Sequence, residues 1–179
     1  MAEIVPYQQK APVPTPDAAE QHQYLTFELG GELFAIGILA IKEIIEFGGL
    51  TTVPMMPEFI RGVINLRGAV VPVVDLSARF GRPPSTITRR SCIVIIESRF
   101  EEDSQDIGVI VDTVQEVLEI PPAEIEPPPT FGTRIRPDFI QGMGKLGNRF
   151  VIILNLARIL SVDEMSVLAQ VSTDPNPTP

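Results

Sequence analysis

An internal repeat constrains this chain more than any other feature. Phe59-Ile60-x-Gly62-x-x-x-Leu66 recurs as Phe139-Ile140-x-Gly142-x-x-x-Leu146, at an offset of 80 residues and without a gap. Beyond that motif, Val71 matches Val151, Val73 matches Ile153, Asp75 matches Asn155 and Leu76 matches Leu156. A second block, Ile41-Lys42-Glu43-Ile44-Ile45-Glu46, is echoed by Val114-Gln115-Glu116-Val117-Leu118-Glu119 at an offset of 73. The blocks come in the same order twice, so a module of about 70–80 residues is duplicated. Two copies are too few for a solenoid, which needs three or more, so they are expected to pack on each other.

Each copy reads as short strands. Tyr24–Leu29 alternates polar and apolar residues, and Gly30-Gly31 then turns the chain into Glu32–Ile36, a hairpin signal. Ala69–Val74 is an apolar run in which Pro72 suggests a strand edge or a bulge. Ser91–Ile96 and Ile107–Val111 are two further strands, and Gly147-Asn148 joins Gly142–Leu146 to Arg149–Leu154 in another tight hairpin. Helices are expected to be few and short: about Met56–Ile60, about Leu76–Phe80, and a C-terminal one near Val162–Gln170 capped by Ser161 or Asp163. Five strands per copy cannot safely leave both edges open, so each copy should close into a small barrel. The expected fold is all-β: two packed five-stranded β-barrels with short helices and a C-terminal helix.

Composition narrows the function. The net charge of −9 argues against a nucleic-acid partner and against direct contact with an anionic membrane. The longest apolar runs are about six residues, against the ~20 needed to span a bilayer. No basic-then-apolar leader stands at Met1–Lys10, and the single cysteine excludes an internal disulfide framework, so a cytoplasmic setting is expected. Proline clusters near the ends, which divides the chain into a Pro-rich tail (1–22), a folded domain (23–168) and a second tail (169–179).

The familiar nucleophile, zinc and phosphate-loop patterns of enzymes are missing, although two carboxylates could still act as acid and base, and for the mid-chain pair Asp75 and Asp112 nothing in the sequence places them together. Its only histidine, His22, lies beside the tail, so no rigid Ser-His-Asp or Cys-His arrangement is expected. One His and one Cys cannot build a zinc site of usual spacing, and no Gly-x-x-x-x-Gly-Lys phosphate loop occurs. No metal or cofactor is expected. Asp75 reads as a helix N-cap, Asp112 as a turn or partner residue, and Cys92 as a small buried hydrophobe.

The stretch Phe59-Ile60-Arg61-Gly62-Val63-Ile64-Asn65-Leu66-Arg67-Gly68-Ala69-Val70-Val71-Pro72-Val73-Val74-Asp75-Leu76 resembles the signature of CheW-like domains. In that family a glycine leads to Asn-Leu-Arg-Gly, then to an apolar run with proline, then to Asp-Leu. The upstream hairpin, the Glu43-Ile44 segment, Gly108–Asp112 and the second repeat fall in the family's order, so the resemblance covers about residues 22–168. It implies two SH3-like barrels side by side. It further implies a non-catalytic chemotaxis adaptor, monomeric when alone, recruited to membrane-associated receptor arrays. Its implied partners are the cytoplasmic tip of methyl-accepting chemoreceptors and the regulatory domain of a CheA-type histidine kinase. A reading of another class is a small-ligand or carbohydrate-binding β-barrel, which would need aromatic platforms; the chain has no Trp and two Tyr.

Candidate site residues follow. Asn65 and Arg67 lie in the turn before Gly68. Arg67 either pairs with a carboxylate of its own chain or presents its planar donor fork to a partner. The second copy has Gly147 at the matching position, and the resemblance implies a role for Arg67 in signalling to kinase and receptor. Period 2 puts Ile41 and Glu43 on one strand face, with Ile44 on the other and in the core. Val114, Glu116 and Val117 repeat the pattern. The resemblance implies a receptor-binding groove between the barrels at Ile41, Glu43, Val114 and Val117. Gly62 and Gly108 sit in strands, where they serve either close approach of a receptor helix or simple barrel curvature.

Overall fold

The computed structural model describes residues 22–100, 103–128 and 135–160. The strands are β1 (Gln23–Leu29), β2 (Glu32–Gly37), β3 (Ile41–Glu46), β4 (Ile60–Leu66), β5 (Ala69–Asp75), β6 (Cys92–Phe100), β7 (Asp103–Val111), β8 (Thr113–Glu119), β9 (Ile125–Glu126), β10 (Ile140–Leu146) and β11 (Arg149–Leu154). Two four-residue helices follow β5 and β11: α1 (Leu76–Arg79) and α2 (Leu156–Ile159).

The strands form two sheets, ordered β3-β6-β7-β5-β4 and β8-β1-β2-β11-β10-β9. The first closes where the chain beyond β3 returns to β4. Thr51 pairs with Val63 there, through reciprocal N–H···O bonds of 2.8 Å. The second closes in the same way. β8 and β9 are joined through a 3-10 turn, Pro122–Glu124, and act as one bent strand whose end pairs with β10. Each sheet is thus a five-stranded barrel of SH3-like type, as the family resemblance implies, but neither barrel is one copy of the repeat closed on itself, as the repeat alone suggests.

The barrels are not the two repeats. The β1–β2 hairpin pairs with β8 and β11, and the β6–β7 hairpin pairs with β3 and β5. Each repeat therefore gives its leading hairpin to the barrel built on the other. The equivalence extends to register: Ala35 opposes Ile153 in the parallel β2–β11 pair, and Gly108 opposes Val73 in the parallel β7–β5 pair.

This exchange puts both hairpins between the barrels and buries both of their faces. Along β6, Ile93 and Ile95 fill the first barrel, while Val94 and Ile96 face the shared core. Along β1, Tyr24 faces the second barrel's interior, while Leu25, Phe27 and Leu29 face the shared core. Two-sided burial is why β6 reads as a continuous apolar run rather than an alternating one. The inter-barrel cluster is the largest of the three cores, and a chain of rings crosses it. Phe27–Phe34, Phe34–Phe80 and Phe80–Phe139 have centroid separations of 6.0, 5.8 and 6.0 Å.

Three local expectations need correction or placement. No helix forms at Met56–Ile60. Met55 takes a positive φ of 63°, and the segment closes a single tight turn in which Ile60 N–H donates to Pro57 C=O at 2.9 Å. Pro72 lies in an inner strand, not at an edge. It precedes the β5–β7 ladder, which starts at Val73, so its missing N–H breaks no rung of that ladder. The expected C-terminal helix, its caps and both tails lie outside the described residues. No helix among the described residues is long and apolar enough to cross a membrane.

Candidate functional site

Ile41 and Val114 hold the same place in the two barrels. Ile41 opposes Ile96 across β3–β6, and Val114 opposes Phe27 across β8–β1. In each pair the register slips immediately beyond that rung, by a bulge between Ile41 and Glu43 in one and between Leu25 and Phe27 in the other. Ile96 and Phe27 are fully buried in the inter-barrel core, and Ile41 and Val114 are half-buried against the same core. The two residues thus border the seam between the barrels, each with part of its apolar surface open.

The other face of β3 differs from expectation. Ile44 is 41% exposed, whereas Glu43 and Ile45 turn toward the first barrel's interior, opposite Ile95 and Ile93; the bulge between Ile41 and Glu43 breaks the period of two, so Ile41 faces the inter-barrel core and does not share a face with Glu43. Ile45 supplies the packing inside the first barrel that Ile44 was expected to give. Glu43 is tolerated on the inner face because it is paired. In β8, Leu118 takes the part of Ile45, and Val117, the counterpart of Ile44, is 47% exposed.

Glu43 and Arg67 meet. The β4–β5 turn has positive φ at both central residues, 52° at Arg67 and 87° at Gly68, as a two-residue hairpin of the primed type requires. Asn65 Oδ1 accepts from Gly68 N–H at 2.9 Å, so the Asn65 side chain braces the turn. The Arg67 side chain then reaches the Glu43 carboxylate, whose hydrogen bond and charge hold the guanidinium pKa above its ordinary value. Asp106 adds a smaller push in the same direction and pairs with Lys42 at 3.1 Å. Arg67 therefore does pair with its own chain. Its side chain is still 72% exposed, which leaves the rest of its donor fork facing outward.

Gly62 and Gly108 are buried, and each has a packing reason. A Cβ at Gly62 would stand 2.3 Å from the Thr51 carbonyl oxygen, at the rung that closes the first barrel. A Cβ at Gly108 would stand 2.6 Å from Ile93 Cγ2 inside that barrel. Both serve barrel closure and filling.

Asp75 caps α1 as expected, accepting from Ser77 N–H at 3.0 Å and Ala78 N–H at 3.4 Å. Sequence reasoning missed what else it does. Fully buried, it also takes Arg61 Nη1 at 2.5 Å, Ser85 N–H at 2.9 Å and the Ser85 hydroxyl at 3.0 Å. The signal lay in the repeat: Arg61 and Asp75 in one copy stand where Gln141 and Asn155 stand in the other. Asp112 is a turn residue, accepting from Gly30 N–H at 2.8 Å. Cys92 is half-buried rather than fully buried, and burial, with help from Glu46, pushes its thiol pKa up.

Other chemistry finds little footing. A cavity of about 610 Å³ lies beside Gly30, Glu32, Ser77, Arg82, Ser85 and Asp112, but Arg82 is paired with Glu32 at 2.7 Å and Asp112 with the Gly30 amide. Among the described residues no group of three or more His, Cys, Asp or Glu is placed to hold a metal. Phe27, Phe34, Phe80 and Phe139 are core residues, not platforms for a carbohydrate.

The family model for the CheW-like domain matches residues 23–164. The chain belongs to the CheW-like family. Chemotaxis protein CheW of Klebsiella aerogenes is 31% identical over 150 residues, covering 84% of this chain and 88% of the relative. Chemotaxis protein CheW of Bacillus subtilis is 34% identical over 136 residues, covering 76% and 85%. Protein FrzA of Myxococcus xanthus is 28% identical over 154 residues, covering 86% and 94%. Among solved structures, the scaffolding protein TtCheW from Thermoanaerobacter tengcongensis superposes with a TM-score of 0.72 at 36% identity, covering 80% of this chain and 95% of that one.

Proposed function

We propose that this chain is a chemotaxis adaptor that couples methyl-accepting chemoreceptors to a CheA-type histidine kinase by binding both, with the chemistry left to the kinase. The observation that carries this reading is membership of the CheW-like family across nearly all of the described residues. The receptor tip, a helical hairpin, meets the seam bordered by Ile41 and Val114, with Glu43 and Val117 on the same strands. An apolar helix stripe at i, i+3 and i+4 needs such a half-open apolar margin to enter. Gly62 and Gly108 support that surface from beneath by letting the barrel close. Arg67, with Asn65 holding its turn, signals to kinase and receptor. The kinase regulatory domain binds elsewhere on the barrels. Coupling is then a difference in binding energy between receptor signalling states. The setting is cytoplasmic, at receptor arrays, where many modest contacts add through avidity.

The test is reconstitution. The full chain is mixed with a purified receptor tip fragment and the kinase regulatory domain, and complexes are separated by size. A ternary complex that needs this chain supports the proposal. Failure of the chain to bind either partner at concentrations up to about 100 μM, far above the micromolar affinity expected of such contacts, sinks it.

A further inference from the structure

Arg79 lies on the molecule's internal pseudo-symmetry. Phe59 and Phe139 are equivalent in the repeat, and so are Arg79 and Ile159. The Arg79 guanidinium stands over both rings, 5.2 Å from the Phe59 centroid and 4.7 Å from that of Phe139. Its Nε–H donates to the Ile159 carbonyl at 2.9 Å. One side chain on α1 of the first barrel is therefore clasped by the second barrel, at the place where the two copies face each other. The rigid planar fork suits this task, because it stacks and donates at once. Asp75 anchors the helix that carries it, and Arg136 lies 4.5 Å from the Phe139 centroid.

The clasp and the Ile41 margin stand at opposite ends of the inter-barrel core. α1 leaves β5 where Asp75 opposes Ile110, whose partner on β6 is Ile93, next to Cys92 at the start of that strand. Ile41 opposes Ile96. Three to four residues of strand, about 10–13 Å, separate the two levels. A small rotation of one barrel about the clasp changes the gap between Ile41 and Val114.

We infer that Arg79 is a positioning residue that fixes the angle between the barrels and, through it, the width of the seam between Ile41 and Val114. Its consequence for receptor binding rests on the function proposed above; its effect on the angle does not.

The experiment uses the full chain with spin labels at Glu97→Cys and Asn148→Cys, one on each barrel, in a Cys92→Ser background. Arg79→Met keeps the stem but removes the cation and the donor. It should shift or broaden the inter-barrel distance distribution and weaken binding of the receptor tip fragment by about 5–10-fold, the scale of a modest coupling between sites. Arg79→Lys keeps the cation over the rings but loses the planar fork and its Nε–H, so it should restore only part of both. Ile110→Val, which loosens the first barrel's interior, should lower the melting temperature without moving the label distance. An unchanged distribution in Arg79→Met overturns the inference. So does an equal shift in Ile110→Val, which would make the effect one of general loosening. A shifted distribution in a protein whose parent never binds the receptor fragment leaves the clasp standing and removes the receptor reading instead.

Discussion

Arg67 donates to the Glu43 carboxylate, joining the β4–β5 turn to β3 across the seam of the first barrel. β3 and β4 are the end strands of that sheet, and the chain beyond β3 pairs with β4 at Thr51 and Val63, so the ion pair closes the seam a second time. The same guanidinium is mostly exposed. Whether the signalling role proposed for Arg67 comes from the staple or from the open side of its fork is decided by a charge swap. Arg67→Glu should abolish kinase control. If the staple is what matters, adding Glu43→Arg should restore it. If the fork meets a partner, the double variant should stay inactive with a normal melting temperature, and that is the expected result.

Arg67→Gly separates stability from signalling. The residue sits at φ 52°, a region costly for any side chain and free for glycine, and the second copy has Gly147 at φ 64° in that place. Relief of that strain should offset loss of an exposed ion pair. A melting temperature equal to or above wild type, with kinase control lost, is expected. A clear drop in melting temperature would mean that the pair with Glu43 holds the barrel shut.

The barrels were legible in the sequence because the repeat, the Gly30-Gly31 and Gly147-Asn148 turns and the apolar runs all point the same way. The hairpin exchange was not, because a repeat gives the order of strands and not which copy each one pairs with. Ile44 was misplaced for a related reason. Period 2 gives two faces, and apolarity alone picks the wrong one when the inward face carries a glutamate whose partner, Arg67, lies 24 residues away. The Asp75 and Arg79 contacts depend on long-range geometry and left only faint marks in the differences between copies.

Those differences also yield a stability prediction. Asp75→Asn leaves Arg61 facing a neutral amide in a buried network. Arg61 is partly exposed, so the cost should be about 2–4 kcal/mol, somewhat below that of breaking a fully buried pair. Combining Asp75→Asn with Arg61→Gln recreates the residues of the second copy and should recover at least half of that loss. Denaturant unfolding of Asp75→Asn, Arg61→Gln and the double variant measures it. An additive loss in the double variant would show that the two residues are not coupled.

Gly62→Ala and Gly108→Ala should differ although both glycines are buried. At Gly62 the new methyl meets backbone, the Thr51 carbonyl, at the rung that closes the barrel, and the φ of 155° is itself unfavourable. At Gly108 it meets the end of the Ile93 side chain, which has some freedom to shift. Gly62→Ala should cost about 3–4 kcal/mol and Gly108→Ala about 1–3 kcal/mol, by overpacking. Equal losses in thermal or denaturant unfolding would remove the Thr51 contact as the cause.

The seam between the barrels gives the most direct test of the proposed receptor site. Ile41 and Val114 are equivalent and half-buried against the same core, so a lysine at either should push charge into a margin where a receptor helix would bury apolar surface. An unpaired buried charge costs several kcal/mol, and micromolar binding totals only ~8 kcal/mol, so receptor affinity should fall at least 100-fold. Because Val114 also packs on the core, Val114→Lys should cost some stability of its own. Val117→Lys supplies the control: that side chain is 47% exposed on the same strand, so its folding cost should be within about 0.5 kcal/mol. Each variant is titrated against a receptor tip fragment and, separately, against the kinase regulatory domain. Loss of receptor binding in Ile41→Lys and Val114→Lys with kinase binding intact is the expected pattern, and Val117→Lys reports how far the contact runs along β8. Equal weakening toward both partners would point to unfolding or a shared surface. Unchanged receptor affinity in both seam variants would remove the seam as the receptor site.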